Sequence, residues 1–431
     1  MYFIITQNMN QLNRTIAPET QEIKHLNFPV CSKSVGHTGV NIYHLNAPVN
    51  EVLRVEFVFD AGIAKQTQKL IATAVNKLLI EGTPTRTAEQ IADGLDFYGS
   101  YLQTRCAVDD AQITLYCLKK HLNKCLEIVL DVIKNAHFPD NEIDIYKKNN
   151  KQRLKVQQQK TSYLCRKIFY ETLFGETSPI SSYSLPIDYD NFSRETLIGF
   201  HRKYYAENIK YITLSGDVDA GVIEQLSQFS TSFNPSQSKN SYKNSGIIAK
   251  NKTIKKEKSA QATLRIGRNL INRAHPDYRK LQLVNLVLGG YFGSRLMKNI
   301  REDKGLTYGI YSVLESYLDD GCFYVEADVN NDKTHIAIVE IYKEINIMCS
   351  ELVPQKELST AKNYLLGSLL RSIDGPFTIM DRNRILLDYG FKPNYYDEFI
   401  EIINTTTAEE IRDLCNKYLK PENLVEIVCG G

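Results

Sequence analysis

Tryptophan is missing from this chain, methionine occurs only five times, and neither sign of charge predominates. Its 52 basic and 50 acidic residues leave a net charge of +2. A nucleic-acid or membrane-surface binder usually carries a one-signed excess, so neither partner is indicated. No stretch approaches the roughly 20 apolar residues of a membrane-spanning helix. The opening residues, MYFIITQNMNQLNR, hold a short apolar run and no basic start, a poor secretory signal. The cytoplasm is the expected compartment, or the periplasm had a signal been removed.

Several chemistries lack their residues. The nine cysteines, from Cys31 to Cys429, contain no C-x-x-C pair, which argues against a disulfide framework and a zinc knuckle; reduced thiols are expected. The eight histidines form no H-x-x-H or H-x-H pair, and His37 and His44 stand in a loop-rich lead-in. There is no G-x-S-x-G elbow, Walker loop or G-x-G-x-x-G fingerprint. Gly289-Gly290-x-x-Gly293 is short and follows a helical pattern, which speaks against a phosphate cradle.

What is present is an ordinary globular composition, 43% hydrophobic and 24% charged over 431 residues, enough for two to four domains. Leu53–Asp60 alternates like a strand and Ala61-Gly62 closes it. Helical patterns follow up to Gly82, over Thr87–Tyr98, over Lys120–Asn135 and over Asn141–Gln159, with strands at Tyr101–Thr104 and Ala111–Leu118. Residues 230–258 are rich in Ser, Asn and Lys and read as a linker. Beyond it the order repeats: a strand at Thr263–Ile266, a helix at Asp277–Leu288, a strand at Cys322–Asp328, a helix at Ile336–Ile347. Ser193-Arg194-Glu195-Thr196-Leu197 … Gly216-Asp217 has a counterpart in Thr407-Ala408-Glu409-Glu410-Ile411 … Gly430-Gly431. The expected fold is α+β, one unit of about 200 residues used twice. The expected division is a unit over 1–230, a linker over 231–260 and a unit over 261–431.

Two constellations bear on chemistry. In the helix after Gln66, Leu70, Ile71, Ala74, Val75, Leu78 and Leu79 make an apolar stripe. Thr73, Asn76 and Lys77, at i, i+3 and i+4, are expected on a stripe outside it, spaced as two imidazoles and a base would be in an H-x-x-E-H zinc helix. A hydroxyl, an amide and an ammonium stand there instead, and a charged lysine repels zinc. In the later half, Ser294 is a candidate N-cap and Gly305 a candidate C′ residue of a short helix, with a strand leaving from Leu306. That turn brings Arg301, a planar fork of donors, near Tyr308, a neutral hydroxyl donor. A plain structural explanation also exists: an arginine near a helix C-terminus and a tyrosine packed in a sheet.

Taken together, the Ala61-Gly62 opening, Leu78-Leu79-Ile80-Glu81-Gly82-Thr83, Gly216-Asp217-Val218 and Ser294-Arg295-Leu296 … Arg301-Glu302 … Gly305-Leu306-Thr307-Tyr308 resemble the M16 (pitrilysin/insulinase-type) metallopeptidase family, in its half-size subfamily. The resemblance spans Val55 to Gly431. It implies two homologous α/β-layer units of the LuxS/MPP-like metallohydrolase type, with mixed or antiparallel sheets and helices on one face. In that family the first helix carries H-x-x-E-H, and a glutamate on a later helix completes the zinc site. Those positions fall here on Thr73, Asn76 and Lys77, and near Gln152 or Arg153, so every ligand and the base are replaced. The family's Arg-x6-Tyr pair, which faces the zinc and supports the oxyanion, is retained as Arg301 and Tyr308. Family members also bind substrate by adding it to a sheet edge, which would place it along Ser100, Tyr101, Leu102 and Gln103.

The resemblance therefore implies a zinc-free subunit that completes the active site of an H-x-x-E-H-bearing homologue in a heterodimeric metalloendopeptidase acting on a peptide or unfolded segment. No metal is expected in this chain; zinc is expected in the partner. The short Gly289–Gly293 segment does not match the long glycine-rich loop of the silent subunit of the mitochondrial processing peptidase, which argues against presequence handling. Two other readings stand beside this one: a non-catalytic peptide-binding or scaffold protein of the same fold, and an autonomous zinc peptidase with unrecognised ligands.

Overall fold

A computed structural model describes residue 15 and residues 22–48, 51–236, 251–257 and 259–431. Residues 237–250 and 258 of the expected linker thus lie outside the described residues.

Two mixed sheets organise the chain. The first contains β1 (Ser32–Val35), β2 (Asn41–Asn46), β3 (Val52–Phe59), β4 (Tyr101–Cys106), β5 (Ala111–Leu118) and β6 (Tyr211–Gly216), in the order β1-β2-β6-β3-β5-β4. The second contains β7 (Lys252–Lys255), β8 (Gln261–Leu270), β9 (Thr307–Ser316), β10 (Gly321–Asn330) and β11 (Val425–Gly430), in the order β9-β10-β8-β11-β7. Leaving out β1, the two orders are the same, which realises the internal repeat. In each sheet one pair is parallel, β2 with β6 and β7 with β11, and the remaining neighbours are antiparallel. Two stretches read from sequence as irregular carry strands: β1 and β2 lie in the lead-in, and β7 lies in the Lys-rich linker segment. Short polar strands are easily missed where pairing rather than apolar alternation holds them.

The helices repeat as well. Among those of the first half are α1 (Ile71–Leu78), α2 (Ala88–Asp96), α3 (Leu122–Asn135), α4 (Asp140–Gln158) and α5 (Thr161–Phe174). Their counterparts in the second are α6 (Tyr278–Asn285), the wide-turned α7 (Met297–Asp303), α8 (Thr334–Ser350), α9 (Gln355–Arg371) and α10 (Pro376–Tyr389). Pro139 and Pro354 precede α4 and α9, where a missing N–H costs nothing. Ser193 and Thr407 cap equivalent helices before the last strand of each sheet, each closing a capping box.

What joins the halves is an exchange. The strand β3 points Leu53, Val55, Phe57 and Phe59 into the core beneath the first half's own helices. Its other face carries Arg54 and Glu56, and alternation alone would leave these in water. They are buried, because α10 of the second half lies across that face. Arg54 donates to Glu56 and Asp381, both at 2.6 Å, and to the Phe377 carbonyl at 3.0 Å. Arg384 stands 3.6 Å from Glu56 and 3.2 Å from Asp110. Asp388 accepts from Lys210 at 3.2 Å and from the Tyr211 hydroxyl at 2.8 Å. Reciprocally, α5 of the first half covers the second sheet. There the seam is apolar: Cys165, Phe169, Tyr170, Leu173 and Phe174 pack with Tyr324, Ile427 and Cys429. Each fully buried side chain of this size contributes about 2 kcal/mol. Arg265 of β8 is buried among them, paired with Glu326 and 4.1 Å from the centre of the Tyr324 ring. A further tie runs from the lead-in to the second half, where Leu26 N–H donates to Asp397 and Cys31 N–H to Asn383.

All nine thiols are free, six of them buried and three half-buried. Among the described residues no helix is long and apolar enough to cross a membrane.

Removing one member of a buried ion lattice strands its partners, so Arg384→Met is expected to lower stability by about 3–5 kcal/mol in urea denaturation. His201 gives a pH test. Its ring is buried, with Nε2 2.7 Å from the Ile133 carbonyl, and burial pushes its pKa below the usual 6.5. The folded chain keeps it neutral while the unfolded chain protonates it below that value. Its contribution is therefore present above about pH 6.5 and is lost as pH falls. Wild type should lose more Tm than His201→Gln between pH 7.5 and pH 5.5.

Candidate functional site

The helix α1 begins after Leu70, whose φ of +76° places a non-glycine residue in the left-handed region. Of its apolar stripe Ile71, Ala74, Val75, Leu78 and Leu79 are buried as the spacing predicts, while Leu70, outside the helix, is half-buried. The expected polar stripe divides. Thr73 is half-buried, its hydroxyl donating to the Leu70 carbonyl at 2.9 Å. Asn76 is not outside the core at all: it is fully buried, with Nδ2 3.2 Å from the Tyr205 hydroxyl and 3.4 Å from the Gln112 carbonyl. Its Oδ1 is buried without a partner. A short helix packed between the sheet and two further helices has more than one inward face, and helical spacing alone does not reveal that. Lys77 is exposed and reaches the Thr104 carbonyl at 3.5 Å. Gln152 and Arg153 are exposed on α4, while Leu154 beside them is buried.

This donor set does not fit zinc. The Thr73 hydroxyl is spent on a carbonyl, the Asn76 amide is directed at a tyrosine and a carbonyl, and Lys77 is a cation. Among the described residues no group of three or more His, Cys, Asp or Glu side chains is disposed to hold a metal.

In the second half, Arg295 forks onto Glu357 with two contacts of 2.8 Å, tying the residues before α7 to α9. Asn299 donates to Glu340 and Glu344 of α8. Ser294 accepts from the Lys298 N–H through its backbone carbonyl, but its hydroxyl is buried and unpartnered, so the expected side-chain cap is not made. Gly305 has φ +60° and the Leu306 N–H returns to the Ile300 carbonyl at 2.9 Å, the left-handed stop anticipated there. The close glycines upstream serve packing: a Cβ on Gly289 would lie 2.7 Å from the Ser312 nitrogen of β9.

With α7 pinned on its inner side, Arg301 is left partly exposed, its guanidinium 4.8 Å from the centre of the Phe292 ring. Tyr308 follows on β9, the edge strand of the second sheet. The register between β9 and β10 slips between Thr307 and Ile310, and this bulge lifts Tyr308 clear, 92% exposed. A tyrosine merely packed in a sheet would be covered; this one is not.

The other candidate segment lies on β4, the free edge of the first sheet. Tyr101 is 62% exposed and stacks on Tyr116, Gln103 is exposed, and Leu102 is half-buried. Ser100 precedes the strand and is buried, its hydroxyl 3.0 Å from Cys125 Sγ, so its side chain does not reach the edge. The residues that sequence reasoning missed are the charged ones between the halves. The alternation of β3 says only that Arg54 and Glu56 fall on the face away from its core; a hint to their cover is that Asp381, Arg384 and Asp388 share one helical stripe with complementary charge.

Comparison with known proteins agrees with this architecture. The profile of the insulinase family, peptidase family M16, matches residues 42–182, and that of the peptidase M16 inactive domain matches residues 191–365. The chain belongs to the M16 family. It is 23% identical over 401 residues to a Bacillus subtilis protein named uncharacterized zinc protease YmxG, covering 90% of this chain and 96% of that one. An uncharacterized zinc protease of Rickettsia bellii is 26% identical over 391 residues, covering 88% and 92%. A Helicobacter pylori relative named non-peptidase homolog YmxG is 23% identical over 384 residues, covering 86% and 87%. Among solved structures, a peptidase M16 inactive domain from Pseudomonas fluorescens superposes with a TM-score of 0.84 at 23% identity, covering 94% of this chain and 98% of that one. Relatives thus carry both kinds of name, peptidase and non-peptidase.

Zinc should not copurify in stoichiometric amount. Elemental analysis of the purified chain is expected to find less than about one zinc per ten chains, since no ligand set of the usual kind is available.

Proposed function

We propose that this chain is a zinc-free M16 subunit that lends Arg301 and Tyr308 to a zinc-bearing homologue during peptide hydrolysis. The observation that carries the reading is the contrast between two faces. Around Thr73 and Lys77 the side chains repel a metal or are spent on the backbone. Around Tyr308 a bulge holds a hydroxyl in the open, and seven residues earlier the Arg301 guanidinium has no carboxylate partner among the described residues.

The chemistry divides accordingly. Zinc, held in the partner, would supply the activated water. This chain would supply donors. The Tyr308 hydroxyl can give its hydrogen bond to the oxygen that becomes negative as the peptide carbonyl turns tetrahedral. Arg301 can fork onto a neighbouring carbonyl or carboxylate of the substrate and hold it in register. Neither residue needs to gain or lose a proton.

A second reading has its own support, the open edge of β4 with Tyr101 and Gln103 exposed beside it: a protein that holds an extended peptide without taking part in its cleavage. The two readings separate in one experiment. Co-expressed with an H-x-x-E-H homologue, the pair should hydrolyse an unfolded peptide that neither chain cleaves alone. Tyr308→Phe should lower the mixed kcat by about 10²- to 10³-fold, the usual cost of one oxyanion donor. Arg301→Ala should act mainly on KM. Unchanged kinetics in both variants would leave the peptide-holding role.

A further inference from the structure

A cavity of about 770 Å³ opens between the halves, away from Arg301 and Tyr308. Five carboxylates and four guanidiniums line it. The carboxylates are all engaged. Glu56 and Asp381 are held by Arg54, Asp110 by Gln112 and Arg384, and Asp388 by Lys210 and Tyr211. Asp109 accepts from the Leu318 N–H at 3.1 Å.

The guanidiniums are not all engaged. Arg54 and Arg384 belong to the lattice beneath α10, although Arg54, itself buried, keeps an unpartnered Nε. Arg105, on β4, pairs with no carboxylate among the described residues. Arg273, in the segment before α6, likewise pairs with no carboxylate among the described residues; its guanidinium lies 5.7 Å from the centre of the Tyr278 ring, with Tyr389 and Tyr396 also within electrostatic reach. One of these arginines comes from each half. We propose that the cavity receives a carboxylate group, gripped between Arg105 and Arg273, so that its ligand bridges the two halves.

The formal charge of the wall is not positive, four cations against five anions, so long-range attraction contributes little. Recognition rests on the planar forks, which match a carboxylate and not a spherical anion. The carboxylate has two possible sources. One is a small free acid. The other is a peptide C-terminus, because Tyr101, Gln103 and Arg105 share one face of β4 and lead to the cavity. The small-acid source is independent of the role proposed in hydrolysis.

The experiment uses the full chain at constant ionic strength, with glutarate, chloride, and one tetrapeptide in free-acid and C-terminally amidated forms. Binding is read by ligand-observed NMR and by thermal shift. Glutarate should bind and raise Tm while chloride does not. Arg105→Gln and Arg273→Gln should each weaken glutarate about tenfold, one lost charge-assisted contact. Arg105→Lys, which keeps the charge without the fork, should fall between. A free-acid peptide that outbinds its amide tenfold identifies the peptide source; equal peptide binding with glutarate retained identifies the small acid. Both Gln variants are expected to fold, since neither arginine is ion-paired. Glutarate binding unchanged in both, or no stronger than the response to chloride, overturns the proposal.

Discussion

The structure depends on a reciprocal cover. Each sheet has one face filled by its own helices and one face that its own half leaves bare. In the first sheet the bare face carries Arg54 and Glu56, and α10 brings Asp381, Arg384 and Asp388 to meet them. In the second, α5 brings Phe169 and Tyr170 against β8 and β11. The two seams use opposite physics. One is a buried ionic lattice, which adds orientation more than net stability because desolvation offsets its Coulomb energy. The other is aromatic and aliphatic, and there area burial supplies the cohesion. Together they fix how the halves are set without relying on the segment between them.

That fixed setting matters for the candidate sites. The free edge β4 and the bulged edge β9 occupy equivalent places in the two sheets, yet they present different chemistry: a tyrosine and a glutamine on one, the projecting Tyr308 on the other. The two halves share one framework, and different residues give each edge its own surface. The polar residues of α1 are divided in a similar way: Asn76 is part of the core, joined to Tyr205, and Lys77 is a surface cation.

Much of this was legible in the sequence. The apolar periodicities of α1 and α3, the matching segments that begin at Ser193 and Thr407, and the Gly305 stop are local signals that survive without tertiary context, whereas the cap expected of Ser294 is not made. The residue types at Thr73, Asn76 and Lys77 were legible as well, because the chemistry of a side chain is read directly. Three things were not legible. The burial of Asn76 depends on which neighbours surround α1. The exposure of Tyr308 depends on a register slip in a pairing that no single strand encodes. The burial of Arg54 and Glu56 depends on a helix that lies more than three hundred residues further along the chain.

The exchange of α5 and α10 also bears on what either half could do alone. A solitary unit of this design would show water a sheet face lined with Arg54 and Glu56 while holding a helix whose apolar side fits no surface of its own. Each half therefore needs the helix that the other carries. Holding both in one polypeptide makes that mutual cover independent of protein concentration.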